Sequence, residues 1–391
     1  MKRLSTAAAL VVSLLAALLG GAPTASAATL LHAQLVVGNL AYPSMFTIGD
    51  DGRIFVSELS KDRIRIYNPS TKALSTYRSF AAGDCSGPIF GVALHPDFAH
   101  NPTAYAYVTR PNAAGNCIHQ VVKLDGTQTQ ATTTKVILSD PNTSGHVGGR
   151  VKFGPDGDLY ISTGDGADGA DNQADSATER ASVQATTSFK GKILRIAPDG
   201  SVPSDNPYKN AVFARGFRNV FGFDFDPNGG RLWALDNGPD PSDYDGAPSG
   251  PGPNGGCNDE LDRVVMGGNY AWGPTGNCAT PPAAPNNTNA DGANPILPEE
   301  NIVVSSGITG GAFCSSCGLG ATYEGALFYV RFGNDDGTGE IHAAKLGSSR
   351  LHVVSDTLVY KASGPTPLSV ERGPDGKLYF STATGIYRLT P

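Results

Sequence analysis

The chain has 391 residues, including 49 Gly and 28 Pro, but it shows no Gly-X-Y period and 40% of its residues are hydrophobic, so a collagen and a disordered chain are both excluded. Its 29 Lys and Arg residues against 36 Asp and Glu give a net charge of −7 without basic clusters, which argues against nucleic acid as the main partner. Only 17% of the residues are charged and 3 are Met, so small residues, turns and β-formers predict an all-β protein without long helices.

The first segment has the pattern of an export signal. Lys2 and Arg3 precede an apolar stretch at 7–19, and the A-x-A motif at 25–27 marks a cleavage site. The apolar stretch is short for a membrane anchor, and no later stretch is apolar enough to span a bilayer. We therefore expect a signal peptide at 1–27, a single mature domain at 28–391, and a secreted protein that is extracellular or periplasmic.

Six Cys residues in an exported chain indicate disulfides. Proximity in the sequence favours three pairs, although sequence alone cannot fix the pairing: Cys85–Cys117, Cys257–Cys278 and Cys314–Cys317. The last pair forms a CxxC motif, which could also be a redox or metal motif. It lacks a second CxxC or a nearby His and lies in a Gly/Ser loop, which favours a structural disulfide.

A turn of the Pro-Asp-Gly type followed by a β run recurs along the chain. Copies lie at 48–57, 154–162, 226–234 and 373–381, with a looser one at 95–108. The turns place Gly where a positive φ is needed, and the runs alternate between faces. Partner strands are expected at 63–67, 192–196 and 385–389.

Repeated hairpins of this kind predict a six-bladed β-propeller. The 391 − 27 = 364 mature residues give about 61 residues for each blade, above the ~40–50 of short propeller repeats. The surplus is expected in long loops at 165–188, 238–258 and 274–320. A pair of β-sandwiches is the structural alternative, and the lack of a linker disfavours two domains.

The segment around His146 carries the first candidate chemistry. His146 lies between glycines just before a predicted strand, and Asp165 directly follows that hairpin's next strand. The two residues could therefore meet at one end of the hairpin, where a carboxylate would orient the imidazole and raise its basicity. An isolated loop His is more often a solvated or capping residue.

Two further clusters follow along the chain. The first joins 214–219 (ARGFRN) to 235–240 (LDNGPD), and spacing alone favours a charged surface with a turn. The second joins 258–263 (NDELDR) to 267–272 (GGNYAW), where acidic residues near Gly-rich carbonyls suit Ca²⁺ but lack the EF-hand spacing. Trp233 is expected to pack within a blade, and so is Trp272, although it lies near the candidate site.

Taken in this order, the three clusters resemble the soluble pyrroloquinoline quinone (PQQ)-dependent aldose dehydrogenases, the glucose/sorbosone dehydrogenase family. The resemblance covers most of the mature chain and is strongest from 90 to 275. The matching stretches are 90–98, 146–165, 191–203, 217–219, 237–239 and 259–272. The resemblance implies a six-bladed propeller with PQQ on its top face. It also implies an enzyme that oxidises the C1 hydroxyl of an aldose sugar to a lactone and passes the electrons to an external acceptor.

The resemblance also implies roles for individual residues. His146 matches the general base that takes the proton of the sugar C1 hydroxyl while hydride passes to the quinone, and Asp165 matches the carboxylate that supports it. Arg218 matches the Arg that stabilises negative charge on a cofactor carbonyl oxygen. Asn219 matches a cofactor contact, and Asn237 stands where the family has a cofactor-binding Gln.

Metal sites are implied in the same way. Gly238 and Pro239 match backbone carbonyls that hold the catalytic Ca²⁺, a Lewis acid for the quinone. Glu260 and the carbonyl of Tyr270 resemble a second, structural Ca²⁺ site. Gln173 matches a family cofactor-binding Gln if three residues are inserted before it.

Some expected cofactor contacts are missing from this chain. Residues 85–86 replace an early Gln or Glu, 364–369 lacks two Arg of glucose-active members, and 328–334 has no clear match for a Lys. Each charge-assisted contact is typically worth ~1.5–3 kcal/mol, so PQQ binding is expected to be weakened unless Arg331 or Lys361 compensates.

The alternative function is that of a propeller with weak or lost PQQ binding that binds carbohydrate or a protein partner. A third reading, a hydrolase or lactonase on a Ca²⁺-bearing propeller, has less support because the sequence has no G-x-S-x-G motif. The sequence leaves the sugar, the electron acceptor and the oligomeric state open.

Overall fold

A computed structural model gives the fold of the chain. It describes residues 30–80, 89–140, 145–166, 177–238, 259–270, 272, 296, 298–302, 306–333, 338–364 and 366–391. The predicted signal peptide at 1–27 lies outside these residues. Among the described residues, no helix is long and apolar enough to cross a membrane.

The described residues form twenty-four strands and one short helix. In chain order they are β1 (His32–Val37), β2 (Pro43–Ile48), β3 (Ile54–Glu58), β4 (Arg63–Asn68), β5 (Ala73–Ser79), β6 (Ile89–Leu94), β7 (Thr103–Pro111), β8 (Cys117–Asp125), β9 (Lys135–Asp140), β10 (Val151–Phe153), β11 (Leu159–Thr163), α1 (Ala177–Gln184), β12 (Lys192–Ile196), β13 (Val212–Arg215), β14 (Val220–Phe225), β15 (Leu232–Asp236), β16 (Asp259–Val264), β17 (Glu300–Ile302), β18 (Ile308–Phe313), β19 (Leu327–Arg331), β20 (Glu340–Leu346), β21 (Val353–Lys361), β22 (Ser369–Arg372), β23 (Leu378–Ser381) and β24 (Ile386–Thr390).

These strands form six four-stranded antiparallel sheets, which confirms the six-bladed propeller and rules out the sandwich alternative. Blade I is β2–β5, blade II is β6–β9, blade III is β10–β13, blade IV is β14–β17 and blade V is β18–β21. Blade VI joins β22–β24 to β1. The first strands contact one another in the order β10, β6, β2, β22, β18 and β14, and β14 also contacts β11 of blade III, so these six strands surround the axis.

The predicted hairpins are present because their turn glycines adopt the required conformation. Gly157 and Gly376 have φ of 83° and 78°, and β11 and β23 follow them directly. All five residues of β11 are buried, because the sheet is covered on both faces by the neighbouring blades. The partner strands predicted at 63–67, 192–196 and 385–389 are confirmed as β4, β12 and β24.

The ring closes by pairing the two ends of the described chain. β1 lies antiparallel to β24, with His32 opposite Thr390 and Gln34 opposite Arg388. The last blade therefore takes its outer strand from the beginning of the described chain.

A group of buried charges fills the axis. Arg150 precedes β10, is 2% exposed, and forms an ion pair with Glu371 of β22 on the opposite side of the ring. Its Nη1 also donates to Ser369 Oγ at 3.2 Å. Lys152 Nζ contacts Glu371 Oε2 at 3.0 Å and Asp224 Oδ1 of β14 at 2.6 Å. Blades III, IV and VI are thereby joined through their inner strands.

Two of the predicted loops contain regular structure. The region at 274–320 includes β17 and β18, and the region at 165–188 includes α1. The prediction of long loops was therefore wrong over α1, β17 and β18, whose short segments lie among Gly-, Asn- and Asp-rich turns that hide their pattern.

The Cys314–Cys317 disulfide is confirmed, and both Cys residues are buried between β18 and β19. Cys117 is also disulfide-bonded, to a residue outside the described part of the chain. Its predicted partner Cys85, and the predicted pair Cys257–Cys278, lie outside the described residues.

We expect Arg150→Met to lower the free energy of unfolding by about 3 kcal/mol, because it leaves a buried Glu371 with one cation fewer. Equilibrium denaturation in urea measures the change. Arg372→Met, on an exposed position of the same strand β22, is the matched control and should stay within about 0.5 kcal/mol of wild type. Equal effects of the two substitutions would contradict a role for the axial charges.

Candidate functional site

His146 and Asp165 meet at one end of the β10–β11 hairpin, as predicted. The Nδ1 atom of His146 lies 2.9 Å from Oδ1 of Asp165. The His146 side chain is 22% exposed, whereas that of Asp165 is 3% exposed. A carboxylate at Nδ1 favours the tautomer with its proton on that nitrogen, so Nε2 becomes the basic nitrogen of the ring.

Glycines allow these chain segments to approach closely. A side chain at Gly164 would place its Cβ 2.3 Å from the carbonyl oxygen of His146, and Gly148 has a φ of 61°. The N–H of Gly166 donates to that same carbonyl at 3.1 Å. The glycines around His146 are therefore a packing requirement that brings His146 to Asp165.

Arg218 and Asn219 sit on a turn that is held by a buried carboxylate. Asp236, at the end of β15, accepts the backbone N–H of Arg218 at 2.9 Å and that of Asn219 at 2.6 Å. Burial raises the pKa of Asp236 to about 7, while these two N–H groups oppose the rise. The Arg218 carbonyl accepts the N–H of Asp165 at 2.7 Å, and Asn219 Oδ1 accepts that of Gly148 at 3.0 Å. Blades III and IV are thus joined directly at the site.

The Arg218 guanidinium points to backbone carbonyls. Its Nη1 donates to the carbonyls of Asn237 at 3.1 Å and Gly238 at 2.9 Å. The N–H of Gly238 donates to Asp259 Oδ1 at 3.0 Å, and Asp259 Oδ2 accepts the N–H of Ser306 at 2.8 Å. The structure therefore brings Arg218 together with one of the two predicted metal-binding carbonyls. Pro239 and Gln173 lie outside the described residues.

Trp272 belongs to this site, which corrects the expectation that it only packs within a blade. Its indole Nε1–H donates to Asp165 Oδ2 at 2.9 Å, and its ring lies 6.0 Å from Cζ of Arg218. Gln184, at the end of α1, donates to the Trp272 carbonyl at 2.6 Å. No sequence pattern indicates the first contact, because 107 residues separate its partners.

Three buried carboxylates lie together beside the site. Oxygens of Asp236, Glu260 and Asp262 all lie within 4.8 Å of one another, because β15 and β16 present them on one face. Both carboxylate oxygens of Asp262 are buried and have no hydrogen-bond partner among the described residues. Burial, reinforced by the neighbouring carboxylates, raises the pKa of Glu260 and Asp262 well above the usual range. Tyr270, the other residue of the predicted second Ca²⁺ site, stacks on Phe217 with 4.5 Å between ring centroids.

The two cations named as possible compensating contacts have different surroundings. Arg331 Nε donates to Ser306 Oγ at 3.0 Å. The backbone N–H of Ser306 donates to Asp259, which also accepts the N–H of Gly238. Lys361 Nζ donates to Glu340 Oε1 at 3.1 Å, on blade V. Arg331 is therefore the cation that the described contacts connect to the site.

Sequence comparison identifies the family. The profile described as "Glucose / Sorbosone dehydrogenase" matches residues 40–388. The quinoprotein glucose dehydrogenase B of Acinetobacter calcoaceticus is 28% identical over 263 residues, 61% of this chain and 52% of that protein. The hedgehog-interacting protein of Mus musculus is 26% identical over 223 residues, 48% of this chain and 31% of that protein. The chain spans about half the length of the first relatives it matches.

Solved structures share the fold. A Thermus thermophilus structure described as an oxidoreductase (glucose dehydrogenase) has a TM-score of 0.70 and 26% identity, covering 92% of this chain and 100% of that one. The PQQ-bound aldose sugar dehydrogenase of Streptomyces coelicolor has a TM-score of 0.65 and 21% identity, covering 93% and 99%. At that identity the second similarity supports the fold alone.

We expect Asn219→Ala to speed amide hydrogen exchange at Gly148, because it removes the acceptor of that N–H, and to cost about 1 kcal/mol of stability. Exchange followed by NMR or by mass spectrometry of the 146–150 segment measures the effect. Asn68→Ala is the control, since Asn68 accepts a backbone N–H in an exposed turn of blade I. Unchanged exchange at Gly148 would show that the Asn219 side chain does not hold the His146 segment.

Proposed function

Because the chain belongs to the glucose/sorbosone dehydrogenase family, we propose that it is an exported, PQQ- and Ca²⁺-dependent dehydrogenase. It oxidises the C1 hydroxyl of aldose sugars to lactones and passes the electrons to an external acceptor. The observation that carries the proposal is the His146–Asp165 hydrogen bond of 2.9 Å beside the Arg218 guanidinium. This oxidation needs an oriented base, a carboxylate that supports it and a fixed positive charge, and His146, Asp165 and Arg218 are the residues proposed for these roles.

The residues around the site fit a polar, anionic cofactor. Asn237 Oδ1 is buried and has no hydrogen-bond partner among the described residues, so it can accept a hydrogen bond from a polar donor of a ligand. Arg218 supplies positive charge, and Asn219 and Arg331 lie on the same side of the propeller through the contacts described above. Gln173 is the further proposed contact. When bound, PQQ supplies the acceptor for the two electrons and the hydrogen that leave the sugar carbon as hydride.

The protein side of the reaction follows from the hydrogen bonds. His146 Nε2 takes the proton of the C1 hydroxyl, and the Asp165 carboxylate stabilises the resulting imidazolium. Loss of this proton raises the electron density on the sugar oxygen, which favours departure of the C1 hydrogen with its electron pair. Arg218 stabilises negative charge that develops opposite the sugar. The 22% exposure of His146 leaves its side chain accessible from the solvent face.

Ca²⁺ is proposed at two places. The carbonyls of Gly238 and Pro239 would hold the first ion, a Lewis acid at the cofactor. Because Arg218 Nη1 already donates to the Gly238 carbonyl, the guanidinium and a cation compete for that oxygen. The second, structural ion would be held by Glu260 and the Tyr270 carbonyl. The unpartnered carboxylate of Asp262 beside Glu260 supports this proposal, since buried like charges need a counter-charge.

A second candidate function is a carbohydrate- or protein-binding module with weak or lost PQQ binding. The absence of Arg from 364–369 favours it, because a tricarboxylate cofactor then lacks cationic partners. The similarity to the hedgehog-interacting protein points in the same direction, since that name describes a binding protein.

We expect His146→Ala to lower kcat/KM for dye-linked aldose oxidation by about 10²–10⁴-fold, as loss of a general base does. The mature chain would be loaded with PQQ and Ca²⁺, and cofactor absorbance would show whether the variant still binds. His100→Ala, an exposed His, is the control and should keep full activity. Unchanged oxidation by the His146 variant would refute the mechanism. No PQQ binding by the wild type at high concentration would favour the binding module.

We expect Ca²⁺ to raise the melting temperature of the wild type more than that of Asp262→Asn. A cation bound at 100 times its Kd adds about 2.7 kcal/mol of stability, and the substitution removes one of its counter-charges. In EDTA the variant should melt higher than the wild type, because it removes a carboxyl whose burial beside Glu260 is costly without a cation. Asp205→Asn, at an exposed acidic residue, is the control. Equal Ca²⁺ shifts in all three proteins would exclude Asp262 from a cation site.

A further inference from the structure

We propose that Trp272 is a positioning residue that holds the Asp165 carboxylate in register with His146. The inference deepens the proposed function, and its kinetic arm depends on that function. The geometry itself does not, because Trp272 contacts Asp165 in the protein alone.

Asp165 is held through both of its carboxylate oxygens. Oδ1 faces His146 Nδ1 at 2.9 Å, and Oδ2 accepts the Trp272 indole N–H at 2.9 Å. Asp165 and Trp272 are 2% and 5% exposed, so water has little access to compete for these contacts. Two donors on two oxygens fix the plane of the carboxylate and favour its charged form.

Trp272 is itself fixed by its backbone. Its N–H donates to the Gly216 carbonyl at 2.9 Å, and its carbonyl accepts Gln184 Nε2 at 2.6 Å. Its ring also lies 6.0 Å from Arg218 Cζ. A single side chain therefore contacts both the carboxylate partner of His146 and the guanidinium of Arg218.

The support for Trp272 extends into blade III. Gln184 is the last residue of α1, and buried Lys192 of β12 donates to the carbonyls of Val183 at 2.6 Å and Ser182 at 3.3 Å. An ammonium at the C-terminal carbonyls stabilises that end of a helix. Lys192 thus anchors the helix end from which Gln184 reaches Trp272.

The first test uses NMR of the uniformly ¹⁵N-labelled protein without cofactor. The chain has two Trp residues, so the spectrum should contain two indole N–H resonances. The resonance that disappears in Trp233→Phe belongs to Trp233, and the other belongs to Trp272. Trp233 Nε1 is buried without a hydrogen-bond partner among the described residues, which makes it a matched control. We expect Asp165→Asn to move the Trp272 resonance upfield and to leave that of Trp233 in place. A Trp272 resonance that does not respond would overturn the proposal whatever the protein catalyses.

The second test compares Trp272→Phe with Trp233→Phe in the PQQ- and Ca²⁺-loaded protein. Phe keeps a ring beside Arg218 but removes the donor to Asp165. We expect kcat/KM for aldose to fall about 10-fold, because the base loses its fixed orientation. The acidic limb of the pH–rate profile should also move to higher pH, since a carboxylate with one donor fewer stabilises the protonated imidazole more strongly.

Gln184→Glu provides a variant that leaves the indole in place. It is isosteric but cannot donate to the Trp272 carbonyl, so the same changes are expected with smaller amplitude. Trp233→Phe should leave the pH profile unchanged even if it lowers stability. If Trp272→Phe lowers only the melting temperature and its normalised pH profile superimposes on that of the wild type, Trp272 is a packing residue and the proposal fails. Inactivity of the wild type would refute the dehydrogenase and leave the NMR result to decide on the contact.

Discussion

Arg150 reaches across the propeller axis to Glu371, and Lys152 joins the same Glu371 to Asp224. Buried charges are stable only when they are paired with opposite charges, so these ion pairs fix the distances between the inner strands of blades III, IV and VI. The chain enters β10 directly from the His146 segment and enters β14 directly from the Arg218–Asn219 turn. The spacing of the site residues is therefore set by the charges on the axis beneath them.

Above the axis, hydrogen bonds to backbone amides hold the site together. The Asp236 carboxylate binds two amides, Asp259 binds two more, and the carbonyl of Arg218 binds the amide of Asp165. Such contacts cost little entropy to maintain, because backbone amides have few alternative positions once the strands are in place. Two of the side chains proposed to face a ligand also have structural contacts: Asn219 accepts the Gly148 amide, and Arg218 donates to the Gly238 carbonyl.

Local patterns made much of this molecule predictable. The Pro-Asp-Gly-type turns located five of the hairpins, and the hairpin between His146 and Asp165 was enough to predict their meeting. The strands β17 and β18 were missed, because they are short and lie among Gly-rich turns. Trp272 was placed near the site and Asp262 in an acidic cluster, but their contacts, and Gln184 altogether, were missed for a different reason. Their roles arise from contacts between segments that are distant along the chain, and in the Asp262 cluster from register across β15 and β16, which residue types alone do not encode.

The pairing of β1 with β24 has a consequence for how the molecule forms. Gln34 and Arg388, which face each other in this pair, are 354 residues apart along the chain. Blade VI can gain its fourth strand only after the rest of the polypeptide has been made, so closure is a late event with a large entropic cost. Until then β24 is an open sheet edge, which can pair with another chain. A propeller closed in this way therefore keeps an unpaired strand edge until both ends of the described chain have been made.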